Sequence, residues 1–228
     1  MKRVAPYLFH PARLEELTDP MRKKILCGAI AAILAGPALA ADNFSYNMLE
    51  LGITGSTVDD PGGDLDAEGG GLSLRASAEF TPNVFGFLDL GSTRYDLKYY
   101  DEDFKIAQGG LGLGFNYPLG SGLDLVAGAS FQRMRTESEV DTFSGNGYGL
   151  HLGLRGGTGK IEWNAGLDYI DIDFDLAEDS FKASDTMFRG GFRYNFTPLF
   201  SMGLDLASNG DDETRAALAF RWTFNDRN

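Results

Sequence analysis

Alternation with a period of two dominates the chain after residue 41 and restricts it to strands whose two faces meet different surroundings. Leu72, Leu74, Ala76, Ala78 and Phe80 interleave with Ser73, Arg75, Ser77 and Glu79. Trp163, Ala165, Leu167 and Tyr169 interleave with Asn164, Gly166 and Asp168. The pattern predicts ten strands, roughly 44–56, 71–81, 84–95, 105–117, 123–135, 146–156, 160–172, 186–197, 200–208 and 213–224. Their connections are too short for crossovers, so pairing is antiparallel. The expected fold is all-β: a closed, antiparallel up-and-down barrel of ten strands, with eight as the fallback count.

The connections alternate in length. Those at 81–83, 118–122, 157–159 and 197–199 are short. Those at 57–70, 96–104, 136–145 and 173–185 are long, and 209–212 is intermediate. Tight turns at one end and long loops at the other are the habit of bacterial outer-membrane barrels, which puts the short turns and both termini in the periplasm. The start of the chain agrees. Met21-Arg22-Lys23-Lys24 is basic, 25–34 is an apolar run, and Ala38-Leu39-Ala40 is a small-residue cleavage site, so 21–40 reads as a signal peptide cut near Ala40. Residues 1–20 read as an upstream extension with Met21 as the true start, leaving 41–228 as the barrel domain. Cys27 is the sole cysteine, so the barrel has no disulfide, thiolate site or cysteine nucleophile.

A soluble barrel would bury the apolar face; a transmembrane barrel turns it outward. The polar face carries Gly110, Gly112, Gly114, Gly149, Gly153 and Gly191, which weaken an exposed strand but make room inside a narrow barrel. Aromatics gather toward the short-turn end at Phe80, Phe115, Tyr117, Trp163, Tyr194, Phe196, Phe200, Trp222 and Phe224, as in a membrane-interface girdle. The expected location is therefore the outer membrane. A net charge of −13 excludes a nucleic-acid binder, and 43% hydrophobic content excludes acidic disorder.

Ser45-Tyr46-Asn47 with Glu50 and Gly52, the run from Leu111 to Tyr117 and the closing Phe220 to Phe224 resemble the small outer-membrane barrels of the OmpA/OmpX-like superfamily, and most nearly a ten-stranded proteobacterial subtype. The resemblance implies a structural, adhesive or signal-associated role.

The inward face is expected to carry a charged network of Arg75, Asp89, His151, Arg155, Glu162, Asp168, Arg189, Arg193, Asp205 and Arg221, together with Glu50, Glu79 and Asp124. Charges of both signs in a narrow lumen read as a salt-bridged plug, with a narrow solute or ion pore as the alternative. Turn positions predict registers: Phe80 opposite Val84 and hence Arg75 opposite Asp89; Phe196 opposite Phe200 and hence Gly191 opposite Asp205, with Asp205 diagonal to Arg189 and Arg193. A turn centred on 157–158 places Arg155 opposite Lys160 and His151 opposite Asn164, with Glu162 diagonal to Arg155.

The loops are acidic, at Asp59, Asp60, Asp64, Asp66 and Glu68; Asp101, Glu102 and Asp103; Glu137, Glu139 and Asp141; Glu178 and Asp179; and Asp211, Asp212 and Glu213. Asp171, Asp173 and Asp175 have the alternate spacing of a calcium loop without its later glycine and glutamate, which makes them weak metal candidates. No cofactor is expected beyond divalent cations at these loops. Expected partners are outer-membrane lipids, lipopolysaccharide and the barrel-assembly machinery, with the protein a monomer. No catalytic residue is assigned: His151 is the only histidine after residue 41, mid-strand and without a nearby serine motif, so a barrel hydrolase is the least favoured reading.

Overall fold

The computed structural model describes residues 44–59, 66–98, 103–138, 141–175, 180–210 and 212–224. The leader with its cleavage position lies outside these residues, as do Asp60, Asp64, Asp101, Glu102, Glu139, Glu178, Asp179 and Asp211. Ten strands follow in order: β1 Met48–Val58, β2 Ala67–Thr81, β3 Val84–Leu97, β4 Asp103–Gly120, β5 Leu123–Ser138, β6 Thr142–Thr158, β7 Ile161–Asp175, β8 Ser180–Thr197, β9 Phe200–Ser208 and β10 Glu213–Thr223. Each pairs antiparallel with its chain neighbour, and β1 pairs with β10 to close the barrel.

Period two decides what faces where. Leu72, Phe80, Leu111, Leu113, Phe131, Phe188 and Phe192 stand exposed on the outer wall. Large apolar groups left in contact with the surroundings in a continuous band fit lipid rather than water. On β7 the band runs from Ile161 to Tyr169 and on β8 from Phe188 to Phe196, close to the span of about 9–11 residues that a tilted strand needs. Its short-turn border carries Phe80, Phe115, Tyr194, Phe196, Trp222 and Phe224, all exposed. Phe131 and Tyr148, paired across β5 and β6, lie at the other border.

The expected long loops are mostly strand. Only 59–66, 98–102, 139–141, 176–179 and 209–212 separate the strands at that end, because the ladder continues several residues past the apolar band. Beyond the band the pattern inverts. On β7 the outward residues change from Trp163, Ala165, Leu167 and Tyr169 to Asp171, Asp173 and Asp175, while the inward ones change from Glu162, Asn164 and Asp168 to Ile170, Ile172 and Phe174. Water now meets the outer wall, so the apolar side turns inward as in a soluble barrel. Met134, Phe143, Ile172, Phe174 and Ala183 form one buried cluster, and Ala67, Tyr95, Leu97 and Phe104 a second, with Ile106 packed against both. Phe174 stacks on Phe181 at 4.8 Å and meets Phe143 edge-on at 5.6 Å. The wall is lower over β9 and β10. Residues 180–187 of β8 pair only with β7, and the Thr186 N–H donates instead to Asp185 Oδ1 at 2.8 Å.

Two predicted registers hold through the strands. Arg75 lies opposite Asp89 and Gly191 opposite Asp205. The turns beside them are tighter than expected: Thr81 pairs with Val84 and Thr197 with Phe200, and Phe80 and Phe196 are bulged out of the ladder. The third register is corrected. Arg155 lies opposite Asn164 and His151 opposite Asp168, because the turn is Gly159-Lys160, closed between Thr158 and Ile161. Gly159 has φ +59°, the left-handed conformation that a two-residue hairpin turn requires and glycine supplies without strain. The correction slides the partner by an even number of residues, so every side chain keeps its face.

If 170–175 were a loop, substitutions there would cost little. As an inverted strand it predicts a sharp alternation. Phe174→Ala should lower stability by roughly 3–5 kcal/mol, and Asp173→Ala by no more than about 0.5 kcal/mol, read as urea unfolding midpoints of the detergent-folded barrel.

Candidate functional site

The inward face of the membrane band gathers the charged side chains. Glu50 of β1 has Arg75 opposite on β2 and Arg221 opposite on β10. Its Oε2 accepts from Arg221 Nε at 2.9 Å and from Arg193 Nη2 at 2.6 Å. Arg193 belongs to β8, so this bond passes over β9 and β10 as a chord inside the barrel. Arg193 also reaches Asp205 Oδ2 at 3.4 Å. Arg221 Nη1 extends the chain to Glu162 Oε2 at 3.4 Å, and the same oxygen accepts from Arg155 Nη2 at 2.8 Å. Asn195 Nδ2 donates to the other oxygen of Glu162 at 3.0 Å. The result is an unbroken alternation of sign: Asp205, Arg193, Glu50, Arg221, Glu162, Arg155. Such charges tolerate a water-poor interior only because each has a partner of opposite sign.

The short-turn mouth is filled by the segment before β1. The predicted first strand included 44–47, but these residues turn into the lumen. Phe44 and Tyr46 place their rings 4.7 and 5.0 Å from the Arg155 guanidinium, and Arg155 Nη1 donates to the Ser45 carbonyl at 3.1 Å. Tyr46 stacks on Phe85 at 4.6 Å, and its hydroxyl donates to the buried Asp124 at 3.1 Å. The Tyr46 N–H donates to Glu79 Oε1 at 2.8 Å. Phe85 itself fits because β4 offers Gly114, where any Cβ would collide with that ring.

A second sector is looser. Arg75 and Asp89 form a two-pronged pair at 2.5 and 3.3 Å. Asp168 is shared, with Oδ1 2.6 Å from His151 Nδ1 and Oδ2 2.6 Å from Arg189 Nη2. The Arg75 side chain is 35% accessible, against 3% for Arg193, so space remains beside this sector. All ten predicted network residues face the lumen. The pairs Arg75–Asp89, Arg155–Glu162 and Arg193–Asp205 follow the expected adjacency, whereas Arg189 turns from Asp205 to Asp168. Sequence reasoning missed Glu50 as the hub and Phe44 and Tyr46 as the stopper. The signal for the stopper was present as bulky rings at positions 44 and 46, on the inward face of the predicted first strand and at its short-turn end.

Asp171, Asp173 and Asp175 stand at alternate positions on the outer wall of β7, not in a loop. Lys182 Nζ lies 3.0 Å from Asp171 and 3.9 Å from Asp173. Among the described residues no group of three or more His, Cys, Asp or Glu side chains is placed to hold a metal ion.

A family model for the outer membrane protein beta-barrel domain matches residues 26–169. No curated protein sequence matches the chain. An outer-membrane channel from Pseudomonas putida F1 is similar in structure at 13% identity and TM-score 0.52, covering 78% of this chain and 94% of that one. The β domain of a Bordetella autotransporter is similar at 12% identity and TM-score 0.51, covering 78% of this chain and all of its own, 100%. At these identities the likeness is one of fold.

Because Arg193 and Arg221 both make their shortest ion pair with Glu50, Glu50→Ala leaves each enclosed guanidinium only a 3.4 Å contact, to Asp205 and to Glu162, and should destabilise the barrel by roughly 3–5 kcal/mol. Asp89→Ala, in the looser sector, should cost less than half of that. Urea unfolding midpoints of the two variants check the order.

Proposed function

The chain belongs to the outer membrane protein β-barrel domain family, and on that premise we propose a plugged, non-conducting barrel with a structural or surface-interaction role at its loop end. The observation that carries this reading is the chord from Arg193 to Glu50, which crosses the lumen at 2.6 Å inside a continuous chain of ion pairs. The stopper of Phe44 and Tyr46 below it and the apolar clusters above it support the same reading. Residues committed to one another in this way are poorly placed to line a water path. In this reading the short turns face the periplasm and the protein reaches the outer membrane as a monomer after cleavage near Ala40, with the barrel-assembly machinery as a transient partner. Lipopolysaccharide and divalent cations meet the loop end.

A narrow pore is the second reading. It draws on the accessible Arg75, Asp89, His151 and Arg189, which leave room on one side of the lumen. The Pseudomonas putida protein described as a channel shares the fold, which hosts many roles. A barrel hydrolase has less support. His151 and Asp168 make the histidine–carboxylate half of a catalytic arrangement, but Asp168 is also neutralised by Arg189, which favours a structural ion triad.

Planar-bilayer recording separates these readings. The plugged barrel predicts a quiet membrane after insertion. Stable openings whose conductance changes with Asp89→Ala or Arg193→Ala would replace it with the pore.

A further inference from the structure

Above the apolar band the outer wall is not uniformly acidic. On β7 the first outward residues past the band are Asp171 and Asp173. On β5 they are Arg133 and Arg135, followed only then by Glu137. The neighbours opposite these arginines are small or short: Gly109 and Ala107 on β4, and Asn146 and Ser144 on β6. Both guanidinium groups therefore rise from a shallow, open stretch of wall, and both residues are exposed. Lys105 adds a third exposed cation on β4, opposite Glu137. Among the described residues Arg135 holds Glu137 at 2.8 Å, while Arg133 and Lys105 have no ion-pair partner. Directly beneath lie Phe131 and Leu111, paired across β4 and β5 and among the most exposed apolar side chains, at 59% and 66%.

We infer that this wall of β4 and β5 is a docking face for the phosphate groups of an outer-leaflet glycolipid, with Arg133, Arg135 and Lys105 as the phosphate ligands and Phe131 and Leu111 against its acyl chains. The inference rests on the loop end facing the cell exterior. The order of chemistry along the wall is that of the lipid: hydrocarbon against Phe131, phosphate at the arginines, sugar and water beyond. Arg133 and Lys105 stand at the membrane border of a chain with net charge −13 without an ion-pair partner among the described residues, and a phosphorylated headgroup stands at that height. Arginine suits the task because its planar fork matches two phosphate oxygens at once. The face differs from the acidic loops: it needs no bridging cation. It also occupies one side of the barrel only, since the other outward cations past the band are already held: Arg94 by Asp103, Lys98 by Glu68, and Lys182 on β8 by Asp171 and Asp173.

The test uses the full chain purified from membranes in a nonionic detergent and titrated with bisphosphorylated lipid A, phosphate-stripped lipid A and inorganic phosphate. The inference expects bisphosphorylated lipid A to bind best, with affinity falling as salt rises. Combined R133Q and R135Q substitutions should weaken it by about tenfold or more, and K182Q on the opposite side should leave it unchanged. These are exposed positions, and the heat-induced shift in gel mobility of each variant verifies folding. Equal binding by the double variant and the wild type would overturn the inference. So would equal binding of stripped lipid A, or full competition by inorganic phosphate, which would mark a free-anion site. A change in self-association with no change in lipid binding would instead assign the face to a second copy of this chain. None of these outcomes bears on lumen conductance, so the plugged-barrel reading stands or falls separately.

Discussion

Hydrocarbon offers no hydrogen-bond partner to a peptide group, so every strand in the membrane band must be paired on both sides. The pairing of β1 with β10, from Met48 opposite Thr223 to Val58 opposite Glu213, meets that requirement and makes the sheet a barrel. Everything else follows from closure. Once the sheet is closed, alternate side chains have no choice but lipid or lumen. The lumen of a ten-stranded barrel is narrow, so long arginines and glutamates that face it must meet one another. Glycines such as Gly114 are then the space into which rings such as Phe85 fit.

The barrel uses two interiors in series. Within the membrane the outside is apolar, so the inside carries the charge, held as the chain from Asp205 to Arg155. Above the membrane the outside meets water, and the inside becomes an ordinary packed core around Phe174 and Ile172. A single strand such as β7 serves both by exchanging the roles of its odd and even positions after Tyr169. This lets the wall rise past the membrane as ordered strand, so that groups on it, Arg133 and Arg135 included, hold fixed positions relative to the lipid surface. Precision of that kind is more easily reached on strands than on loops.

The strand count, the closure and the inward face were legible in the sequence because they depend only on local period and on turn residues. The bulges at Phe80 and Phe196 were invisible but harmless, since each turn shortened while the ladder behind it kept its register. The turn at Gly159-Lys160 was misplaced because Gly156, Gly157 and Gly159 stand together and any of them could have taken the left-handed conformation. The outer extensions were misread for a more instructive reason. The stretch Ile170-Asp171-Ile172-Asp173-Phe174-Asp175 keeps perfect alternation, but with the phase reversed, and a reversed phase resembles the end of a strand and the start of an acidic loop. Contacts across the lumen, such as Arg193 with Glu50, lay beyond reach because they depend on barrel curvature and not on neighbouring strands.

The account depends most on the change of phase along β7. Cys27, the sole cysteine, lies far ahead of the strands and is replaceable by serine, so single cysteines can be placed at Leu167, Ile172 and Asp173 and spin-labelled. Accessibility to oxygen and to a water-soluble nickel chelate then reports the surroundings of each site in lipid vesicles. The account predicts a label at 167 reached by oxygen, a label at 173 reached by the nickel chelate, and a label at 172 shielded from both. A label at 172 as open to the chelate as that at 173 would show a solvated loop and contradict the inverted strand.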